Sequence, residues 1–167
     1  MDTVAAGPIL TTGDIKRKLR RMAFEIAERN SGCEALIIAG IAGNGEVVAK
    51  GITRELEQII DCRMDLITVF IDKENPLTVS LEQEVELHQQ TIILVDDVAN
   101  SGRIMLYALK AFLGAEPKSI QTMVLVERSH KLFPIQIDYV GLSIATTLQE
   151  HITVKTTGDL IEGAWLY

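Results

Sequence analysis

Apolar residues at Ile15, Leu19, Met22, Ala23 and Ile26 recur at helical spacing, which predicts a helix over about 14–30, stopped by Ser31-Gly32. The unbroken apolar run Ala35–Ile41 then reads as a buried strand, and Ala42-Gly43-Asn44-Gly45 turns the chain into a second helix. Val47, Val48, Ile52, Leu56, Ile59 and Ile60 mark the apolar face of that helix. Leu66–Ile71 and Thr91–Val95 are further strands. A third helix, over about 102–113, carries Ile104, Met105, Ala108, Leu109 and Phe112, and Ser119–Val126 is another apolar strand. Continuous apolar strands alternating with amphipathic helices predict an α/β protein whose central, mostly parallel sheet is flanked by helices on both faces. Ligands of such sheets bind outside the carboxyl ends of the strands, so the 42–45 turn and the loop after Val95 belong on one rim. After Arg128 the pattern breaks, with Pro134, the 138–141 segment and short strands near 152–155 and 164–166. That tail is either irregular packing or a wall beside the ligand.

The chemistry concentrates in Ile92-Ile93-Leu94-Val95-Asp96-Asp97-Val98-Ala99-Asn100-Ser101-Gly102-Arg103-Ile104. A buried strand, two adjacent carboxylates and a loop of small residues leading into a helix make a place to hold a sugar phosphate. Backbone N–H groups of Val98 to Gly102 and the Ser101 hydroxyl are candidate donors to a phosphate, aided by the helix start. Asp96 and Asp97, acceptors when ionised, suit a ribose diol or the water shell of a Mg2+ ion.

At 167 residues, 47% of them hydrophobic, the chain is long enough for one buried core, and a single domain over 1–167 is expected. The apolar runs are too short to span a membrane and no signal-peptide pattern is visible, so a cytoplasmic location is expected. Cys33 and Cys62 have no metal-ligand spacing and are expected to be reduced thiols with a core role. A net charge of −7 argues against broad nucleic-acid binding. Lys16, Arg17, Lys18, Arg20 and Arg21 nevertheless crowd the first helix, while the stretch 72–90 sets five acidic residues against Lys73 alone.

The ordered combination from Ile92 to Ile104 resembles the motif by which type I phosphoribosyltransferases bind 5-phosphoribosyl pyrophosphate (PRPP). The closest likeness within that family is to the pyrimidine operon attenuation regulators that also act as uracil phosphoribosyltransferases. Supporting it are Ile9-Leu10, the helix end Glu25-Ile26-Ala27-Glu28-Arg29-Asn30, and Leu125-Val126-Glu127-Arg128-Ser129-His130 with Phe133-Pro134-Ile135 and Asp138-Tyr139-Val140-Gly141. The resemblance implies the type I fold with a small C-terminal hood, and transfer of ribose 5-phosphate from PRPP to a pyrimidine-like base. It makes Asp96 and Asp97 the catalytic pair, placing Mg2+ through water. Val98, Ala99, Asn100, Ser101, Gly102 and Arg103 become the PRPP and 5′-phosphate loop, and Ile41, Ala42, Gly43, Asn44 and Gly45 the pyrophosphate loop. Arg128, His130, Tyr139 and Val140 become base contacts. The implied partners are PRPP and a nucleobase or nucleoside monophosphate, in a homodimer; RNA ranks last.

Two departures lower the expected activity. The pyrophosphate loop lacks its usual Lys or Arg, and the segment between Ile71 and Thr91 replaces a longer loop that brings an arginine over the substrate, leaving only Lys73. Charge-assisted contacts to such oxygens are the strong ones, so their absence points to slow turnover. The alternative is a non-catalytic nucleotide-binding regulator of the same fold. Phe24 also stands where RNA-binding relatives carry a histidine.

Overall fold

The structure, a computed structural model, describes residues 7–167. Thr11 caps the first helix: its hydroxyl accepts from the Asp14 N–H, and the Asp14 carboxylate accepts from the Thr11 N–H. This helix, α1 (Thr12–Arg29), follows the two-residue strand β1 (Leu10–Thr11) and buries Ile15, Leu19, Met22, Ala23 and Ile26. Next come β2 (Ala35–Ile41), α2 (Asn44–Glu57), β3 (Arg63–Ile71) and the short β4 (Val79–Leu81). The chain continues through β5 (Thr91–Ala99), α3 (Arg103–Ala108), α4 (Lys110–Leu113), β6 (Ser119–Arg128) and β7 (Tyr139–Ile144), and closes with β8 (Ile152–Thr157) and β9 (Leu160–Leu166).

Six strands form the main sheet in the order β4-β3-β2-β5-β6-β7, all parallel except β4, which runs back along β3. The apolar runs of β2 and β5 are continuous because both faces are covered. Leu36, Ile38, Ile93 and Val95 pack under α1 and α2, whereas Ile37, Ala39, Ile92 and Leu94 pack with Met105 and Phe112 of α3 and α4. Each such fully buried aliphatic side chain contributes about 1.5–3 kcal/mol relative to exposure. From β2 the chain moves outward to β3, and from β5 it moves the other way to β6, so the order reverses between β2 and β5. A crevice at that switch point is where open α/β sheets bind ligands.

The helix expected over 102–113 is broken at Leu109 into α3 and α4. The expected hood is a second, antiparallel sheet in the order β1-β9-β8, built from both ends of the described chain. Its Leu10, Ile152, Val154, Ile161 and Ala164 join the core beneath α1 and α2. Tyr139 and Val140, base contacts by the resemblance, open β7, an edge strand of the main sheet. No described helix is long and apolar enough to cross a membrane.

Candidate functional site

A cleft of about 260 Å3 opens at the carboxyl ends of β2 and β5, slightly below the usual range of small-molecule sites. Asp96 and Asp97 form its floor at 2% and 9% exposure, the 98–103 loop one side, and Ile152–Val154 of β8 the opposite wall. The tail after Arg128 is therefore a wall in part.

Both carboxylates lie within β5, so strand geometry positions them. Asp96 Oδ1 accepts the Asp97 N–H at 2.9 Å, and Asp97 Oδ1 accepts the Val98 N–H at 2.8 Å. Val98 is thus not a free donor, and Ala99 still pairs with Glu127 in the sheet. Beyond β5, the N–H groups of Asn100, Ser101 and Gly102 have no partner among the described residues. The Ser101 hydroxyl accepts the Arg103 N–H at 3.2 Å, and the Ser101 carbonyl accepts the N–H groups of Leu132 and Phe133. Gly102 has φ +83°, and an added Cβ would stand 2.7 Å from Ile135 Cγ2 and 3.4 Å from Phe133 O. Only glycine suits that conformation at that packing distance.

Burial, and then the charge of Asp97, push the Asp96 carboxyl well above the usual carboxylate range, while Lys73 pulls it down. A folded-state value raised above the unfolded one stabilises the fold at acid pH, and that stabilisation is lost as pH rises through the raised value. Asp96→Asn removes this dependence. The melting temperature of the variant should gain on the wild type as pH rises from acid to neutral; a difference constant across that range would mean that Asp96 does not hold its proton more tightly when folded.

The expected pyrophosphate loop is closed upon itself. Ile41 is buried in β2, and the Ala42 N–H donates to Val69 O. The Gly43 N–H donates to the Glu46 carboxylate, whose other oxygen accepts the Thr68 hydroxyl. Asn44 Nδ2 donates to Asp97 Oδ2 at 3.0 Å and to Val154 O at 2.9 Å, while its Oδ1 accepts the Thr156 hydroxyl at 3.0 Å. Gly45 lies so close to β5 that an added Cβ would stand 3.0 Å from Asp96 Oδ1. An acidic residue therefore caps α2, and a neutral amide pins the second carboxylate to β8. The basic residues of α2 are spent elsewhere, since Lys50 and Arg54 both pair with Asp159. Lys73 and Arg103 are the cations among the described lining residues.

Beside the cleft, sharing Asn100 and Ser101, lies a more apolar hollow lined by Arg128, His130, Thr146 and Leu148. Arg128 donates to Thr147 O at 2.7 Å, and Thr146 Oγ1 is buried without a partner among the described residues. Lys131 is held 2.6 Å from Glu127. The base contacts expected at Tyr139 and Val140 are not met. Tyr139 is 3% exposed, with its hydroxyl donating to Gln121 at 2.6 Å, and it starts a strand aligned with Met123, away from the rim. Val140 packs against the opposite core. Family likeness marks their segment but not the direction of the side chains. Thr146 and Leu148, by contrast, carry no sequence signal.

On α1 the basic cluster is largely paired: Arg17 with Asp14, Arg20 with Glu55, Arg21 with Glu25. Among the described residues no group of three or more metal-ligating side chains occurs.

Residues 6–156 match the model of the phosphoribosyl transferase domain. The chain belongs to the phosphoribosyltransferase family. It is 35% identical over 155 residues to the bifunctional protein PyrR of Leuconostoc mesenteroides, covering 87% of this chain and 89% of that protein. PyrR of Clostridioides difficile is 36% identical over 151 residues, covering 84% and 85%. Within the type I phosphoribosyltransferases the likeness is thus to the pyrimidine operon regulator type. Among solved structures, a hypoxanthine-guanine phosphoribosyltransferase of Bacillus anthracis superposes with a TM-score of 0.72 at 17% identity over 84% of this chain and 83% of that one. The hypoxanthine phosphoribosyltransferase of Trypanosoma cruzi gives 0.73 at 15% identity, again over 84% and 83%. These structures establish the type I phosphoribosyltransferase fold.

Proposed function

We propose that this chain binds the ribose 5-phosphate part of PRPP or of a pyrimidine nucleoside monophosphate, and that it transfers that group to a uracil-like base slowly. The observation that carries the reading is the convergence of both carboxylates and the Ser101–Gly102 amides on one cleft, at the switch point of a phosphoribosyltransferase sheet. The loop amides and the Ser101 hydroxyl receive the 5′-phosphate, and the acidic pair accepts from the ribose hydroxyls. The base extends into the hollow of Arg128, His130 and Thr146, where the unpartnered Thr146 hydroxyl meets its polar edge.

In the reaction a base nitrogen attacks C1 of the ribose as the C1–O bond to pyrophosphate breaks, so the protein supplies positioning and charge rather than a nucleophile. The donor set fits Mg2+, which takes one or two carboxylates and completes its shell with water and substrate phosphates. Asp96 and Asp97 would hold it through water, and the ion supplies positive charge opposite the pyrophosphate. Among the described residues, the 42–45 turn on that side carries no cation, and Lys73 and Arg103 are the cations that line the cleft. Each missing transition-state donor commonly costs ~10²–10³ in rate.

The second reading, a nucleotide-binding regulator without turnover, draws on Asn44 and Glu46, whose hydrogen bonds fill the turn expected to receive pyrophosphate. RNA binding ranks below both, because the arginines of α1 face acidic partners. Steady-state product formation from PRPP with uracil, cytosine, guanine and hypoxanthine, alongside PRPP affinity on the same preparation, separates the first two. Slow transfer to uracil supports the enzyme, and tight nucleotide binding with no product supports the regulator. Brisk turnover with any base would show that cations reach the pyrophosphate from elsewhere and would overturn the claim of a weakened site.

A further inference from the structure

The amino-terminal edge of the sheet, opposite the nucleotide cleft, brings together two thiols that the sequence separates by 29 positions. Register does it. Ala35 of β2 pairs with Arg63 of β3, and the Arg63 N–H donates to Glu34 O at 3.0 Å, so the residues just before each strand run side by side. Cys33 is two residues before that pair on one strand and Cys62 one before it on the other. The Cys33 N–H donates to Asn30 O, which fixes the turn leaving α1. Both cysteines are free thiols, half-buried against the α1–α2 side of the core, and their Sγ atoms lie 2.8 Å apart. That separation is only about 0.8 Å longer than a covalent S–S bond.

We infer that Cys33 and Cys62 form a reversible intrachain disulfide, a dithiol site that exchanges with low-molecular-weight disulfides. The surroundings assign the order of steps. Cys33 lines an open polar groove with Glu34, Arg63 and Lys118, which gives a low-molecular-weight disulfide such as oxidised glutathione access to its sulfur. Burial, and then the neighbouring Cys33 sulfur, push the Cys62 thiol up to about 12, so Cys33 attacks first. Its sulfur bonds to one sulfur of the reagent while the S–S bond of the reagent breaks, releasing one thiolate. Cys62 then loses its proton and bonds to Cys33 Sγ, expelling the second thiolate. Two protein thiols are oxidised, one small disulfide is reduced to two thiols, and no other co-reactant is needed.

The linkage closes a loop containing β2 and α2, the two elements that lead to the cleft, yet lies at the far end of the strands from Asp96 and Asp97. Oxidation therefore tightens the scaffold without entering the nucleotide site. Constraining a loop of this length should raise the melting temperature by about 10 °C.

The test is incubation of the whole protein in a series of oxidised and reduced glutathione buffers, followed by acid quench, alkylation and intact-mass measurement. We expect both alkylation sites to disappear together, with loss of two hydrogens and no added glutathione, in the monomer band of a non-reducing gel. Cys62→Ser should instead trap one glutathione on Cys33. The oxidised wild type should melt higher than the reduced, and Cys33→Ala with Cys62→Ala should melt at one temperature in either buffer. Persistence of both free thiols in the most oxidising buffer, separate glutathione adducts on the two cysteines, or a disulfide joining two chains would each overturn the inference. Each of these overturning results is read on the wild-type protein, so it stands even if a variant fails to fold.

Discussion

Replacing Asp96 and Asp97 together by asparagine should weaken uridine monophosphate binding by about 100-fold or more while leaving inorganic phosphate binding nearly unchanged. A hydrogen bond involving a charged group contributes about 1.5–3 kcal/mol and a neutral one about 0.5–1.5 kcal/mol, and the ribose presents its hydroxyls to both carboxyl groups. Phosphate alone needs only the Ser101–Gly102 amides and the Ser101 hydroxyl. Asparagine keeps the shape of each side chain, so the backbone donors of Asp97 and Val98 retain an acceptor. Equal losses for nucleotide and phosphate, or a melting temperature that collapses in the double variant, would make the pair a structural feature of β5 and not a ribose contact.

Gly102→Val carries the second large effect, and its cause lies behind the loop and not in front of it. A crowded phosphate approach is the expectation from sequence, because any Cβ there sits in the binding loop. The structure turns that Cβ toward Ile135 and Phe133 and holds φ at +83°. A left-handed conformation costs a residue with a Cβ about 1–2 kcal/mol, and overpacking against Ile135 adds about 1–3 kcal/mol. The melting temperature should fall by about 10 °C, with nucleotide binding lost as the 98–103 loop shifts. An unchanged melting temperature with binding abolished would instead restore the crowded-phosphate explanation.

Much of this was legible in the chain because local pattern and tertiary role agreed. The run Ala35–Ile41 coincides with β2, and its continuous apolarity signals a strand buried on both faces. Asp96 and Asp97 end the apolar run of β5 at the switch point of the sheet, and there they share a cleft with the loop to Arg103. The failures come from contacts between residues far apart in sequence. Asn44 meets Val154 across 110 positions, and no local rule shows that a pyrophosphate turn will be filled by its own amide. Tyr139 belongs to a segment that resembles a base cover, but whether its ring faces the rim or the core depends on β7 joining β6 at Met123. Cys33 and Cys62 show no motif spacing, and parallel register alone aligns them. Backbone N–H groups are anonymous in a sequence, so Val98 reads there as a phosphate donor; in the fold the carboxylate of its neighbour claims it first.

Titration calorimetry of the wild-type protein with uridine monophosphate, with and without Mg2+, asks whether the cleft holds a ribose 5-phosphate before any question of turnover. A single saturable site per chain, weakened by the Asp96→Asn, Asp97→Asn pair, is the predicted result. Absence of saturable heat with uridine monophosphate and with PRPP, from protein that melts cooperatively, would contradict it.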